Sequence, residues 1–365
     1  MRRRRMAAMK AVHEQNNMGL QISSKDKDQT HLHRSSSLVL VEKIDGLIRV
    51  YKDGHVDRPQ IVPCVGCSLA PDLGVTCGDT IIDKYTNVWA RVYVPRKKKQ
   101  QQQQLPLLVY FHGGGFCVGS ASWICYHEFL AKLAASVNCV VVSVNYRLAP
   151  ENPLPAAYDD GVVALGWLRK QQFAGGGEWW TERCDFSSVC LAGDSAGANI
   201  AYNVAVRVAT PPLPLKGLVL IQPFFGGEAR TDSEKYMVQP PRSALTLAAS
   251  DTYWRLSLPA GADRDHPWCN PAAAGELPAA RVGVLVCVSE MDILRDRNME
   301  FCERLRNNMK GCGGGGGGGG GRKVEQVVSK GVGHAFQILD KSPLSQTRVL
   351  ELISHINNFI ISTCM

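Results

Sequence analysis

Short apolar runs and longer amphipathic segments alternate along most of the chain. Residues 107–111 and 189–192 are short apolar runs that predict strands, and 139–144 is a β-branched run, which is typical of a strand buried on both faces of a sheet. Further strands are predicted at 89–94, 217–221, 282–288 and 324–328, and helices at 123–137, 156–172, 196–208, 292–308 and 346–361. Such alternation predicts an α/β fold with a mostly parallel central sheet flanked by helices.

Some segments do not follow this alternation. Residues 39–50 form an amphipathic segment that ends at a turn. Residues 224–277 have no clear strand and are rich in Pro, Asp and Arg, which predicts a helical insertion over the carboxyl edge of the sheet. The glutamine-rich stretch 96–104 and the glycine-rich stretch 311–322 predict low-complexity surface loops. Residues 1–37 are predicted to be a disordered leader, which leaves 38–365 as one domain.

Composition and charge exclude several classes of protein. The 365 residues are 45% hydrophobic and 20% charged, as in ordinary globular proteins. The net charge of +8 equals the eight positive charges of Arg2–Arg5 and Arg96–Lys99, so the rest of the chain is balanced. A nucleic-acid partner is not expected, because a binding face would carry distributed basic and aromatic residues. No run of 18 apolar residues exists, and no membrane insertion or amphipathic membrane anchor is expected.

The cysteines indicate a reducing environment. Thirteen are scattered through predicted strands and helices, a pattern that favours free thiols over a disulfide framework. We therefore expect a cytoplasmic protein, although the Arg and Ser residues before Val39 leave organellar targeting open. Cys64 and Cys67 form a C-x-x-C pair that Cys77 follows. No second pair has the spacing that would complete a zinc site, so we predict no metal and no other cofactor.

The pentapeptide Gly193-Asp194-Ser195-Ala196-Gly197 directly follows one predicted strand and opens a predicted helix. This strand–turn–helix context is what a nucleophile elbow requires, since its glycines permit a tight turn below an exposed serine. The alternative is a plain glycine-rich turn between a strand and a helix. We predict that Ser195 is a catalytic nucleophile.

A second glycine-rich turn, His112-Gly113-Gly114-Gly115, follows the strand 107–111. Acyl transfer generates an oxyanion, and fixed backbone N–H groups can stabilise it. We predict that the N–H groups of Gly113, Gly114 and Ala196 form this oxyanion hole. His112 is expected to brace the loop and not to act as the base.

A base and an orienting acid should follow the nucleophile along the chain. His334 lies in a loop just after the strand 324–328, whereas His355 lies inside a predicted amphipathic helix. Asp292 follows the strand 282–288 by four residues, and Glu290 is the second choice for the acid; Asp296 lies one helical turn further on. We predict a triad of Ser195, Asp292 and His334, in the chain order of α/β-hydrolases.

These motifs together resemble a known family. The segments 112–116, 146–151, 193–197, 292–296 and 333–336 are similar to those of the hormone-sensitive-lipase-like α/β-hydrolases, and 243–246, 253–256 and 264–268 resemble the cap of plant carboxylesterases. The resemblance implies an α/β-hydrolase fold with a helical cap built from 38–70 and 224–277, a plant source, and hydrolysis of short to medium acyl esters without a cofactor. Candidate walls of a substrate pocket for such a small ester are Phe116, Phe224, Tyr253 and Trp254.

Two rival functions come from the same family. Gibberellin receptors resemble these enzymes but lack the triad histidine and bind a hormone without turnover, and some members are dehydratases of isoflavonoids. This chain retains both His334 and the His-Gly-Gly-Gly motif, which favours a carboxylesterase. A metabolite-binding protein with a vestigial triad would bind its ligand tightly and release no product. The oligomeric state is left open.

Overall fold

An eight-stranded sheet runs through the centre of the fold. The computed structural model describes residues 39–96, 103–173, 177–208, 212–239, 243–274, 282–311 and 323–364, and those from Val39 onward form one compact unit. The predicted leader 1–37 lies outside the described residues, as do most of the predicted loops 96–104 and 311–322.

The strands of this sheet are β4 (Val75–Asp83), β5 (Val88–Pro95), β6 (Leu105–Phe111), β7 (Val140–Asn145), β8 (Cys184–Asp194), β9 (Leu215–Ile221), β10 (Gly283–Ser289) and β11 (Val324–Ser329). Their order is β11-β10-β9-β8-β6-β7-β5-β4. Strands β4, β5 and β7 pair antiparallel, and all pairings from β7 to β11 are parallel. The prediction of a mostly parallel sheet is therefore confirmed. Strand β4 has mixed polar and apolar residues at the sheet edge, and the hydrophobic pattern did not predict it.

Helices cover both faces of the sheet. One face carries α1 (Ile124–Val137), the short helix α7 (Phe336–Leu339) and α8 (Pro343–Cys364), and the other carries α2 (Ala156–Phe173), α3 (Ala196–Arg207) and α6 (Arg295–Gly311). Along β7, Val140 and Val142 belong to the apolar cluster on the face covered by α2, α3 and α6, whereas Val141 belongs to the cluster on the face covered by α1 and α8. This alternation explains why the strand is apolar at every position.

The cap differs in part from the prediction. The insertion is helical, with α4 (Asp232–Tyr236) and α5 (Leu247–Ser257), and each helix has a threonine N-cap. The N-terminal part instead begins with an antiparallel sheet of β1 (Leu40–Ile44), β2 (Ile48–Tyr51) and β3 (Val56–Asp57). Gly46, with φ of 74°, lies in the turn between β1 and β2, and the apolar side of this hairpin packs on the core. Arg255 of α5 joins the two parts through two hydrogen bonds to Glu42.

No helix in the described ranges is both long and apolar enough to cross a bilayer. The three predicted triad residues follow parallel strands of one half of the sheet: Ser195 follows β8, Asp292 follows β10 and His334 follows β11, with β9 between β8 and β10. Because the carboxyl ends of parallel strands meet at one edge of a sheet, the topology brings these loops together.

Candidate active site

Ser195 lies on a sharp turn between β8 and α3. Its backbone has φ of 52° and ψ of −121°, a combination that costs a non-glycine residue about 1–3 kcal/mol. A Cβ atom at Gly193 would lie 2.7 Å from the carbonyl oxygen of Phe111, and one at Gly197 would overlap the same oxygen. Both flanking positions therefore require glycine, because the turn packs directly against the end of β6.

Two backbone hydrogen bonds hold this strained turn. The N–H of Ser195 donates to the carbonyl oxygen of Ile221 at 2.9 Å, and the N–H of Phe224 donates to the carbonyl oxygen of Ser195 at 3.0 Å. The side chain of Ser195 is only 6% exposed. The end of β9 thus fixes the backbone of the predicted nucleophile.

The structure brings the three predicted triad residues into one hydrogen-bonded chain. The Oγ of Ser195 lies 2.9 Å from Nε2 of His334, and Nδ1 of His334 lies 2.7 Å from Oδ2 of Asp292. The other carboxylate oxygen of Asp292 accepts the N–H of Leu294 at 3.0 Å. With the Nδ1 proton directed to Asp292, Nε2 is free to accept the serine proton.

The alternative acids and base lie elsewhere. Glu290 accepts the N–H of Gly331, and Asp296 accepts the N–H of Ser233. His355 is exposed on α8. None of these contacts reaches Ser195, so the geometry favours Asp292 and His334.

The acidic groups around His334 influence its charge. Burial by itself would lower the pKa of His334, but the charge and hydrogen bond of Asp292, together with the charge of Asp194, outweigh it and raise the pKa above its ordinary value of 6.5. A raised pKa means that the imidazole is a stronger base and that its imidazolium form is stabilised.

The N–H of Gly113 is not available for the oxyanion hole, in contrast to the prediction from the sequence. This N–H donates to Oη of Tyr126 at 2.7 Å and to Oδ1 of Asp194 at 3.0 Å, so it is already used within the protein. Gly114 and Gly115, both with positive φ, line the cavity above Ser195. Across the described residues, the N–H groups of Gly114, Gly115 and Ala196 have no protein acceptor. The glycine donors are therefore shifted by one residue relative to the prediction.

Asp194 is a site residue whose role the sequence analysis missed. Its carboxylate is buried and accepts from Tyr110 at 2.8 Å, from Tyr126 at 3.0 Å and from the N–H of Gly113. Burial raises the pKa of Asp194 to about 6, although these hydrogen bonds and the charge of His334 act in the opposite direction. Its position beside Ser195 was the only sequence signal, and that signal does not reveal contacts to residues 68–84 positions away.

His112 lies behind the oxyanion loop. Its ring is fully buried and stacks on Tyr146 with a centroid distance of 4.3 Å, and its Nδ1 lies 2.8 Å from the carbonyl oxygen of Gly113. Burial lowers the pKa of His112 to about 4, so the ring is neutral. The prediction that His112 braces the loop agrees with this placement.

An apolar cavity opens above Ser195 and His334. Its walls come from the N-terminal part of the cap, the insertion, the oxyanion loop and the segment after His334, and they include Leu47, Ile61, Val62, Val118, Trp123, Phe224, Leu245, Tyr253, Ile338 and Leu339. No lysine or arginine belongs to the lining that the described residues provide. The cavity is therefore suited to an uncharged, largely apolar ligand.

Two of the four predicted wall residues line this cavity and two do not. Phe224 and Tyr253 are in the lining. Trp254 lies behind it and stacks on Phe224 with a centroid distance of 4.6 Å, and Phe116 packs against Trp254 at 5.4 Å. Consecutive residues of α5 point in different directions, which separates Tyr253 from Trp254. Trp254 and Phe116 support the wall and do not contact the cavity.

In the part of the chain that the structure describes, no group of three or more His, Cys, Asp or Glu side chains could hold a metal ion. The twelve cysteines in these ranges are free thiols, and most of them are buried.

Comparisons with known proteins agree with this architecture. A family model for the alpha/beta hydrolase fold matches residues 108–338. The chain is 53% identical to probable carboxylesterase 6 of Arabidopsis thaliana, over 88% of this chain and 91% of that protein. It is 35% identical to gibberellin receptor GID1A of the same plant, over 73% and 79%. Among solved structures, an esterase of Pyrobaculum calidifontis superposes with a TM-score of 0.62 at 27% identity, over 78% and 84%.

Proposed function

The chain belongs to the α/β-hydrolase fold family, and we propose that it is a carboxylesterase that hydrolyses short to medium acyl esters through Ser195, His334 and Asp292. The observation that carries this proposal is the chain of hydrogen bonds from Ser195 Oγ through His334 to Asp292, at 2.9 and 2.7 Å. A free serine hydroxyl is a poor nucleophile, and an aligned base is what activates it.

The reaction begins with acylation. Ser195 Oγ attacks the ester carbonyl carbon while Nε2 of His334 takes the hydroxyl proton, and Asp292 stabilises the resulting imidazolium. When the tetrahedral intermediate collapses, the bond to the alcohol oxygen breaks and His334 gives its proton to the departing alcohol. The acyl group remains as an ester of Ser195.

Deacylation repeats these steps with water. His334 removes a proton from a water molecule, the hydroxide attacks the acyl-enzyme carbonyl, and the carboxylic acid leaves as Ser195 recovers its proton. In both steps the N–H groups of Gly114, Gly115 and Ala196 are our candidates for stabilising the oxyanion. One such donor contributes typically ~3–4 kcal/mol to lowering the barrier.

The apolar lining of the cavity defines the class of substrate. Charged esters would lose their hydration without compensation, because neither lysine nor arginine is among the described lining residues and the one carboxylate among them, that of Asp194, already accepts hydrogen bonds from Tyr110, Tyr126 and the N–H of Gly113. We therefore expect neutral esters with small or medium apolar acyl groups to be preferred.

A receptor is the second candidate, because the chain is similar to a gibberellin receptor. A binding protein has no need for a base, yet His334 is present and hydrogen-bonded to both Ser195 and Asp292. The intact triad geometry favours turnover over binding alone. It equally favours hydrolysis over the dehydratase alternative, since the serine and the glycine loop are both in place.

A cytoplasmic location and the absence of a nucleic-acid partner remain part of the proposal. Free, mostly buried thiols in the described ranges support a reducing compartment.

The test is hydrolysis of p-nitrophenyl acetate and butyrate by the purified protein. Removing a triad serine costs on the order of a million-fold in turnover, so Ser195→Ala should abolish activity, and His334→Ala should do the same. Ser188→Ala, on the same strand, and His355→Ala, on the exposed face of α8, are matched controls that should retain it. Full activity in Ser195→Ala would refute the mechanism. A folded wild type without turnover would instead favour the receptor or dehydratase function.

A further inference from the structure

Gln222 occupies an unusual position at the end of β9. Its side chain is 1% exposed, and its backbone has φ of 48°, which is rare for a residue other than glycine, asparagine or aspartate. Strained, buried residues of this kind persist only where their surroundings fix them, and they cluster at functional sites. Gln222 is not part of the cavity lining and touches no reacting atom among the contacts that the structure gives.

The hydrogen bonds of Gln222 connect it to the strand that precedes Asp292 and to the loop that contains His334. Its backbone N–H donates to the carbonyl oxygen of Cys287 at 2.7 Å, and its Nε2 donates to Oγ of Ser289 at 2.5 Å. Both partners belong to the strand that leads to Asp292. Its Oε1 accepts the N–H of Ala335 at 2.6 Å, and this N–H belongs to the peptide group that directly follows His334.

The neighbours of Gln222 in sequence hold the third loop. The carbonyl oxygen of Ile221 accepts the N–H of Ser195, and the N–H of Phe224 donates to the carbonyl oxygen of Ser195. The four residues from Ile221 to Phe224 therefore contact the backbone or supporting strand of every predicted triad member. Within this segment, Gln222 is the residue whose side chain connects the acid strand to the histidine loop.

We propose that Gln222 is a positioning residue that fixes the peptide group after His334, and thereby the position of the imidazole between Asp292 and Ser195. This inference rests on the proposed function. The peptide group between His334 and Ala335 sets the backbone torsion at His334, and Ala335 itself has a positive φ of 56°. Without the acceptor on Gln222, that N–H would be buried and unpaired, and the loop would turn to find another partner.

The chemistry of the side chain explains why this position holds glutamine. The site needs one group that donates to Ser289 and a second that accepts from Ala335, on one rigid plane, and a primary amide supplies both. Methionine has nearly the same length and volume but offers neither hydrogen bond. Glutamate keeps the acceptor for Ala335 and adds a charge beside the histidine loop.

The expected effect of Gln222→Met is a fall in kcat of roughly 100-fold, because a displacement of about 1 Å at a reacting group costs that much. KM should change little, since the cavity lining is not altered. The matched control is Gln337→Met, which replaces a second buried glutamine two residues beyond Ala335. The amide of Gln337 has no hydrogen-bond partner in the described structure, so the control should keep the wild-type kcat.

Further readouts separate positioning from loss of stability. The melting temperature of each variant is measured beside kcat and KM, and Gln222→Glu should recover most of the lost kcat because it restores an acceptor. Its carboxylate should also favour the imidazolium form of His334, which moves the acid limb of the kcat/KM profile to higher pH. Ser289→Ala removes only one of the two side-chain bonds and should lose less kcat than Gln222→Met.

The outcomes are distinct. A fall in kcat at unchanged KM in folded Gln222→Met, with recovery in Gln222→Glu, supports the inference; a kcat equal to that of Gln337→Met overturns it. If Gln222→Met does not fold, Gln222→Glu decides, since an acid limb at higher pH supports positioning and a wild-type profile contradicts it. If the wild type hydrolyses no ester, the proposed function fails and the inference falls with it, whereas an active wild type matched by Gln222→Met removes the inference alone.

Discussion

Two glycine-rich turns lie next to each other at the carboxyl ends of β6 and β8, and their glycines are required by different neighbours. The elbow around Ser195 packs against backbone, since a Cβ atom at Gly193 or Gly197 would meet the end of β6. In the oxyanion loop, a Cβ atom at Gly115 would overlap the ring of Tyr253, which belongs to the cap. The elbow is thus built within the sheet, whereas the loop is shaped partly by an insertion that lies about 140 residues further along the chain.

This difference determines what a change in each turn can do. A backbone neighbour cannot move without breaking the pairing of the sheet, but a side-chain neighbour can be replaced. Damage to the elbow should therefore be irreparable, and damage to Gly115 should be repairable by a second substitution in the cap.

The largest effect is expected for Gly197→Ala. The added methyl group overlaps the carbonyl oxygen of Phe111 and would push α3 away from β6, so we expect a loss of more than ~4 kcal/mol in unfolding free energy together with loss of esterase activity. Chemical denaturation checks this expectation. Gly166→Ala on α2, where nothing lies within 4 Å of the new methyl group, is the control and should be neutral or stabilising by up to about 1 kcal/mol. Equal stability of the two variants would contradict the close packing of the elbow.

The elbow could be predicted because the sequence features that define it lie close together along the chain. An apolar strand, two glycines and a helix with a clear period fix the place of Ser195 within a few residues of sequence. His334 and Asp292 could be predicted from the order of strands and loops, because parallel strands place their carboxyl ends at one edge. The structure brings these three residues together, while their catalytic roles stay a prediction until Ser195→Ala is measured.

The oxyanion loop could be predicted only as a feature and not residue by residue. Which N–H points to the cavity depends on Tyr126 and Asp194, which occupy the N–H of Gly113 from two other elements. Similarly, Trp254 was predicted in the cavity wall, and its stacking on Phe224 places it behind that wall. Which N–H faces the cavity and which ring lines it both depend on contacts between distant segments, and these contacts cannot be inferred from spacing along the chain.

An intermediate effect is expected for Gly115→Ala. The new methyl group meets Tyr253, and the positive φ of 58° is unfavourable for alanine, so the loop should rotate and withdraw its N–H. Loss of one oxyanion donor lowers kcat by ~100- to 1,000-fold. Steady-state kinetics with p-nitrophenyl butyrate measure this fall in kcat.

The repair is a second substitution that makes room. In the double variant Gly115→Ala with Tyr253→Leu, the ring that blocks the methyl group is gone, and part of the lost kcat should return, with Tyr253→Leu alone as the reference. A double variant no better than Gly115→Ala would show that the backbone of the loop, and not the cap, imposes the glycine.

The smallest effect is expected for Asp194→Asn. Asp194 belongs to the elbow, and its carboxylate accepts the N–H of Gly113 in the oxyanion loop. Asparagine keeps the shape and can still accept from Tyr110 and from the N–H of Gly113, but it removes a negative charge that helps to raise the pKa of His334. The base must be neutral to act, so kcat/KM falls as the pH drops through this pKa, and the wild-type acid limb should lie above pH 6.5. At that pH most Asp194 is ionised, because burial raises its pKa only to about 6.

Removing this charge should therefore move the acid limb to lower pH. The limb is read from kcat/KM measured at closely spaced pH values, with Asp159→Asn as the control, since Asp159 is exposed and pairs with Arg207. An acid limb that stays in place or moves upward would mean that Asp194 acts on the oxyanion loop alone. A downward shift would mean that one buried carboxylate both holds Gly113 away from the cavity and strengthens the base that activates Ser195.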